Sequence, residues 1–370
     1  MNQSTKLKVL GLMSGTSMDG LDMCLAEINI SENYLFSYNI IKTASEPFSA
    51  QTKFIIQNAI EGKNIELAHT YLGEQFSQLC IKHFDSANVD AIAMHGQTIA
   101  HEDGVMSQQI GNPQFIADAF QIPVVYNFRQ ADIDVGGNGA PLMPFLDWLL
   151  FNNSDYDKII LNIGGIANFT HNPRYAKKGD IIGFDSGPGM ALIDEFCKLK
   201  WNEACDWDGK YSSTGNIIKP LLDELMMHPF VKKEYPKSTG RNEFGLKYVQ
   251  KIVEKWDEHP PENILRTFVA FTAKSICENI SNLRNFTLEN STLIVSGGGV
   301  HHPIIMEDLK MHTQLKVINS AEIDIDPDTK EALLMAVLGA CRIRNITTNI
   351  PSVTGAKSHV VLGDIYQRKE

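Results

Sequence analysis

Short apolar runs recur along the chain, and several of them come in pairs separated by glycine. Leu7 to Leu12 and Leu21 to Ile28 flank the polar turn Met13-Ser14-Gly15-Thr16-Ser17-Met18-Asp19-Gly20. Two strand-length runs across so tight a turn predict a β-hairpin. The pattern returns with Lys158 to Ile163, the Gly164-Gly165 turn and Ile166 to Thr170. A strand from Ile181 then runs into Gly187-Pro188-Gly189, ahead of a helix carrying Asp194 and Glu195. A third turn, Gly297-Gly298-Gly299, links the apolar run Leu293 to Val295 to a helix expected near Pro303.

The stretches between these turns alternate in type. Ser49 to Ala87 reads as helical, with Leu67, Leu72, Phe76, Leu79 and Cys80 on its apolar stripe. Asp90 to Met94 reads as a short strand ending at His95-Gly96-Gln97-Thr98. Ile116 to Phe120 is expected on a helix, and Val124 to Phe128 on a strand leading to Arg129. Gly136 to Pro141 reads as a crossing between halves, followed by a helix from Phe145 to Phe151. Strands alternating with helices imply an α/β chain with mostly parallel or mixed sheets. The last long helix, Lys330 to Arg344, can pack back on the first half and make it discontinuous. The expected domains are residues 1–132 with 345–370, and residues 133–344.

The length of 370 residues fits two domains, because single cores stop growing before that size. A net charge of −11 argues against a sequence-independent grip on nucleic acid or on an anionic membrane. Any bound phosphate must then be held by local dipoles and a metal. No apolar run is long enough to span a membrane, and the first residues lack the apolar region of a signal peptide. The six cysteines form no CxxC pair and read as reduced residues of a cytoplasmic protein.

The hairpin tip at Gly15 is suited to an anion. Glycine permits positive φ and close approach of backbone to a ligand. The hydroxyls of Ser14, Thr16 and Ser17 and the backbone amides can donate to phosphate oxygens. Asp19 and Asp22 are candidates to hold magnesium, directly or through water. No lysine follows the glycines, so this is not a Walker A loop. A plain turn is the alternative for any one of these loops. Three of them on strand ends point to a duplicated nucleotide-binding core with a ligand between its halves.

Taken in order, these segments resemble the anhydro-N-acetylmuramic acid kinase family of the actin-like fold. The resemblance rests on GTSMDG at Gly15 to Gly20, HGQT at His95 to Thr98, QIGNP at Gln109 to Pro113 and the stretch from Phe128 to Pro141. It continues through LNIGGIAN at Leu161 to Asn168, FDSGPG at Phe184 to Gly189 and PKSTGR at Pro236 to Arg241. SGGG at Ser296 to Gly299 and PSVTGA at Pro351 to Ala356 complete it. It implies a duplicated ribonuclease-H-like fold, two domains with mixed sheets around a cleft for nucleotide and substrate. It also implies a magnesium- and ATP-dependent enzyme of cell-wall recycling, expected as a homodimer. Such an enzyme cleaves the internal bridge of its 1,6-anhydro sugar with water and places the γ-phosphate on O6. Two departures are visible: Ser186 where many members carry threonine, and Met190 where many carry asparagine.

The implied chemistry can be set on particular residues. Cleaving a glycosidic bond normally takes two carboxyl groups, one to protonate the leaving oxygen and one to activate water. If a phosphoryl group caps O6, a single carboxylate suffices, and Asp185 is the candidate base. Its alternatives are a magnesium ligand or a helix N-cap. The expected ATP-binding residues on the first hairpin are Gly15, Thr16, Ser17, Met18, Asp19, Gly20, Leu21 and Asp22, with Asp19 the candidate metal contact. Gly164, Gly165 and Asn168 serve on the second hairpin, and Gly187 and Gly189 through their backbone amides. Gly297, Gly298 and Gly299 would let adenosine lie against bare backbone.

For the sugar, His95, Gln97 and Thr98 are candidates to read hydroxyls, against a structural role for His95. Arg129 can clamp a lactyl carboxylate or a phosphate, against a surface ion pair with Asp132 or Asp134. Glu331 can reach substrate or simply stabilise the start of its helix. Lys237 and Arg241 are either substrate or interdomain contacts or solvated charges. His301 and His302 read as solvent-facing residues at a helix start. Two other functions compete: a kinase of a plainer anhydro sugar or a hexose, and a nucleotide-dependent structural or chaperone protein.

Overall fold

The computed structural model describes residues 6–15, 18–283, 286 and 288–367. It divides into two compact units, Met1–Leu149 with Thr329–Glu370, and Leu150–Asp328. The chain crosses at 149/150 and 328/329, not at the expected 132/133 and 344/345. The physical reason is the helix Lys330–Ile343, which packs on strands of the first unit and belongs there.

The first unit is built on seven strands: β1 (Leu7–Ser14), β2 (Gly20–Ile30), β3 (Phe36–Pro47), β4 (Ala91–Glu102), β5 (Met106–Ile110), β6 (Val124–Tyr126) and, from the chain's end, β12 (Asp364–Tyr366). The second unit holds β7 (Lys158–Ile163), β8 (Ile166–Asn172), β9 (Ile182–Pro188), β10 (Thr292–Ser296) and β11 (Lys316–Asn319). The sheet orders are β12-β6-β4-β1-β2-β3, with β5 on β4, and β11-β10-β7-β8-β9. In each unit the first three strands are antiparallel neighbours, and two later ones, β4 and β6 in the first unit and β10 and β11 in the second, run parallel to the first. Numbered within its unit, each core sheet reads 3-2-1-4-5. The predicted duplication is therefore present in the topology, as the ribonuclease-H-like arrangement.

Both expected hairpins form, as β1–β2 and β7–β8. Two expected elements differ. The strand from Asp90 does not stop at His95; β4 continues to Glu102 and turns back into β5. The helical stretch from Ser49 breaks at Gly62 and Asn64, both with positive φ, into Ala50–Ile60 and Ile65–His83. The second helix buries Ala68, Leu72, Phe76 and Cys80 at a strict four-residue spacing. Leu67 falls beside that stripe and is 61% exposed.

Each unit has its own apolar core. In the first, the helix Lys330–Ile343 lies so close to the sheet that a Cβ on Gly11 of β1 would stand 2.0 Å from the Ala332 carbonyl oxygen. A Cβ on Gly339 would stand 2.5 Å from the Ala93 side chain on β4. The helix starts with a buried ion pair, Lys330 Nζ to Asp147 Oδ1 at 2.5 Å. Gly11→Ala is expected to cost about 3 kcal/mol through forced separation of helix and sheet. Thermal unfolding should then show a midpoint lower by about 6–12 °C, given the size of the unit.

Candidate active site

In the first unit the glycine hairpin is braced from β4. Ser14 Oγ donates to Gln97 Oε1 at 2.5 Å, and Gln97 Nε2 donates to the Gly15 carbonyl at 3.2 Å. Gln97 is fully buried, so it supports the hairpin instead of reading sugar hydroxyls as expected. Thr98 Oγ1 accepts from Gln109 Nε2 at 3.2 Å, which joins the HGQT and QIGNP segments. The β1–β4 register slips between Leu12 and Ser14, where His95 and Gly96 stand against the single residue Met13, with Gly96 at φ 76°. Bulges of this kind re-aim side chains next to functional sites.

The bulge presents His95 to Arg129. Arg129 Nε donates to His95 Nε2 at 3.1 Å, and His95 Nδ1 donates to the Gly96 carbonyl at 2.8 Å. Both ring nitrogens are used, which fixes the neutral tautomer. Burial, with the Arg129 guanidinium beside it, drives His95 down to about 3. Arg129 is not in the surface ion pair weighed against the clamp: Nη1 donates to the Gly139 carbonyl at 3.3 Å, and burial lowers its pKa to about 10. Asp132 has other duties. It accepts from the Gly139 amide, Asn349 Nδ2 and Thr354 Oγ1, each at 2.9 Å, and so ties the 128–141 stretch to the PSVTGA segment. Glu331 lies nearby, with its carboxyl pushed up by burial and by the Asp22 carboxylate.

The other residues expected on the first hairpin are sorted by the geometry. Leu21 is 1% exposed and belongs to the core, so only its backbone is open to a ligand. Gly20 allows β3 to approach, since a Cβ there would stand 2.3 Å from the Glu46 carbonyl oxygen. The Met18 amide closes the turn on the Gly15 carbonyl at 3.1 Å. Asp22 accepts from Ser45 Oγ at 2.6 Å, and Asp19 is exposed at the tip. Thr16 and Ser17 lie outside the described residues.

In the second unit three motifs meet at the tip of the β7–β8 hairpin. The amides of Gly189 and Ala191 donate to the Gly165 carbonyl at 2.9 and 3.0 Å, and that of Met190 to the Gly164 carbonyl at 2.8 Å. The expected role of the Gly189 amide as a phosphate donor is thereby taken by the hairpin. Gly189 is needed for closeness instead: a Cβ would stand 2.2 Å from the Gly164 oxygen. On the other side, Cβ atoms on Gly297 and Gly299 would strike Asn162 and Ile163, at 2.4 and 2.3 Å. Gly298 alone of the three is exposed with open space around it, the position against which a ligand can lie. The Arg241 guanidinium covers Gly165, its Nη2 3.2 Å from where a Cβ would stand, and its Nη1 donates to Glu195 Oε1 at 2.9 Å.

Asp185 sits on β9 at a second bulge. Asn168 pairs with Asp185 and Ala167 with Gly187, so Ser186 is the extra residue. Its hydroxyl donates to the Ala167 carbonyl at 3.0 Å, and Asn279 Nδ2 donates to its carbonyl at 3.0 Å. The serine departure thus keeps the one bond the position needs. Gly187 takes φ 145°, which favours glycine. Asp185 is partly exposed, and its Oδ2 accepts the Thr239 amide at 2.9 Å. It is not a helix cap: Met190 occupies that place, makes no side-chain cap bond, and packs against the unit's core.

Two expectations about cations and histidines change as well. Lys237 is 6% exposed, not solvated. His302 is 3% exposed; its Nε2 meets Asp206 Oδ2 at 3.2 Å and its Nδ1 caps the helix Pro303–Thr313. Sequence reading missed Asp206 and the roles of Asp132 and Thr239, whose partners lie far along the chain or on the backbone. Among the described residues, no three His, Cys, Asp or Glu side chains gather to cage a metal. Magnesium does not need such a cage, because it keeps waters and takes one or two carboxylates with phosphate oxygens. The exposed Asp19 fits that demand.

Two units of 3-2-1-4-5 order, each with a glycine hairpin between its first strands, define the actin-like class that includes the sugar kinases. The sequence pattern of the family described as anhydro-N-acetylmuramic acid kinase matches residues 7–368, and the chain belongs to that family. The anhydro-N-acetylmuramic acid kinases of Francisella tularensis subsp. novicida and Clostridioides difficile are each 35% identical to it, over 96% of this chain and 97% of each relative. Among solved structures, a ROK family glucokinase from Streptomyces griseus in complex with glucose and AMPPNP is similar over 89% of this chain and 98% of its own, at 10% identity and a TM-score of 0.38.

The His95 environment gives a pH dependence. Its folded value lies below the ordinary 6.5, so protons bind preferentially to the unfolded chain and stability is lost as pH falls from 6.5 towards 3. From pH 7 to pH 5 the wild type should lose about 2 kcal/mol more than His95→Gln. Urea unfolding at the two pH values measures the difference.

Proposed function

We propose that this ATP-using kinase opens the 1,6-anhydro bridge of 1,6-anhydro-N-acetylmuramic acid with water and phosphorylates O6. The products are N-acetylmuramic acid 6-phosphate and ADP, in cell-wall recycling. The observation that carries the reading is Asp185: a partly exposed carboxylate on a strand bulge, with one oxygen fixed by the Thr239 amide. A carboxylate so placed can take a proton from the water that attacks C1. The electron pair of the C1–O6 bond leaves on O6, which is capped by the transferring phosphoryl group, so no second carboxylic acid is required.

The remaining roles follow from what each side chain has left to offer. Arg129 is held through Nε and Nη1, and Nη2 has no acceptor among the described residues, which suits it to the lactyl carboxylate. The backbone of the two hairpin tips and the open face of Gly298 suit phosphate and adenosine. Magnesium, met by Asp19 directly or through water, would neutralise charge on the phosphates. Glu331 and Thr98 serve the sugar, with His95 acting through Arg129. No described helix is long and apolar enough to cross a membrane. The protein is taken to work in the cytoplasm as a homodimer, without nucleic-acid or membrane partners.

Turnover of ATP, magnesium and the anhydro sugar in oxygen-18 water should give a phosphorylated sugar labelled at its anomeric oxygen. An unlabelled product would overturn the hydrolytic step, and activity only on levoglucosan or hexoses would overturn the substrate. Asp185→Asn should lose about 10²- to 10⁴-fold in kcat while still binding nucleotide in calorimetry; loss of that binding would assign Asp185 to the metal. For Arg129→Met, the KM for the anhydro sugar should rise about 10- to 100-fold, the worth of a charge-assisted bond.

A further inference from the structure

We propose that Lys237 is a positioning residue: it locks the segment 235–239 so that the Thr239 amide holds the Asp185 carboxylate in its working orientation. The inference rests on the reading of Asp185 as the base.

Segment 235–239 is fastened to β9 at three points. The Tyr235 ring stacks on Phe184, with centroids 4.8 Å apart and planes 9° from parallel. The Asp185 amide donates to the Lys237 carbonyl at 3.1 Å. Two residues on, the Thr239 amide donates to Asp185 Oδ2 at 2.9 Å. The same short segment therefore grips both the backbone and the side chain of Asp185. Thr239 Oγ1 is in turn held by Glu243 Oε2 at 2.6 Å, which fixes the amide's direction.

What anchors the segment to the body of the unit is the Lys237 side chain. It runs inward, and Nζ donates to the carbonyls of Phe230 and Val231 at 3.1 and 3.2 Å. These belong to the short helix Pro229–Lys232, at whose end the Phe230 carbonyl also accepts the Lys233 amide at 3.2 Å. The ammonium also lies 4.9 Å from the Phe230 ring centroid and 5.9 Å from that of Phe184. A lysine buried to 6% exposure is costly unless its donors are engaged, and here they are engaged by backbone. Burial lowers its pKa to about 8, against Glu278 and Asp185, which favour the charge, and with Lys233, which opposes it. Neither the protonated nor the neutral amine loses the ability to donate, so the anchor persists across the working pH range.

Removing the anchor frees the Thr239 amide from Asp185. A carboxylate that loses a hydrogen-bond donor has a higher pKa, and its proton-accepting oxygen is less well aimed. Three measurements on Lys237→Met separate this from a general loosening of the unit. The kcat should fall about 10- to 100-fold, with the KM for ATP unchanged. The acid limb of the kcat/KM profile should move to higher pH. Amide exchange should quicken about tenfold or more at Thr239, with Leu161 in the core strand β7 unchanged.

A kcat and acid limb equal to wild type, in a variant that folds, would overturn the proposal. So would equal acceleration of exchange at Thr239 and Leu161. If Lys237→Met fails to fold, Lys237→Gln, whose amide nitrogen falls one bond short of the Phe230 and Val231 carbonyls and so loosens the anchor while keeping a polar group beside them, should move all three readouts in the same direction by less, and wild-type values in all three would overturn the proposal. Asp185→Asn is assayed alongside: turnover surviving there would overturn the base reading, whereas a dead Asp185→Asn with a fully active Lys237→Met overturns only the anchor.

Discussion

Two carbonyl oxygens at a hairpin tip, those of Gly164 and Gly165, hold the second unit's candidate site together. They receive the amides of residues 189, 190 and 191, so the start of the helix Ala191–Trp201 is bound to the turn between β7 and β8. Because that contact is backbone on backbone, no Cβ fits at Gly189. The same closeness passes to the far side of the tip, where Asn162 and Ile163 leave no room for a Cβ at Gly297 or Gly299. Glycine at these positions is thus a matter of packing, and of the three only Gly298 keeps open space around it. A site made this way presents peptide dipoles with little side-chain entropy to lose, which suits a phosphate in a chain of net negative charge.

The two units solve one problem twice with different chemistry. Each breaks the regular pairing of a strand beside its hairpin, and each does so with a bulge. In the first unit the bulge lies at His95 and Gly96, and Gln97, just past it, reaches back with its side chain to brace the Ser14–Gly15 turn. In the second the bulge lies at Ser186, whose hydroxyl closes the gap to Ala167 while Asp185 stays partly exposed. The first bulge yields a neutral imidazole that accepts from a half-buried arginine. The second yields a carboxylate.

Much of this was legible in the sequence, and the reasons for the rest are physical. Hairpins and their glycine turns show as paired apolar runs, because strand period and turn chemistry are local. The duplicated fold followed from the resemblance carried by the motifs, while the order of the strands in each sheet came only with the structure. What a glycine or a polar residue is for did not follow. Gln97 and Gly189 look like ligand contacts in sequence, yet one braces a hairpin and the other permits a close approach. Only partners distant along the chain reveal the difference. His302 looked exposed because its partner, Asp206, lies 96 positions away. Leu67 was misplaced by one step of the helical stripe, and the domain boundary by the long reach of the final helix.

That final helix sets an order of events during synthesis. Residues Leu150–Asp328 are contiguous and can complete their sheet as soon as they leave the ribosome. The first unit cannot, because β1 and β4 are roofed by Lys330–Ile343, and Gly11 has no Ala332 to meet until nearly the whole chain exists. At ordinary elongation rates that is a wait on the order of tens of seconds. The half made first is therefore the half finished last, and through that interval its sheet shows an open apolar face to the cell.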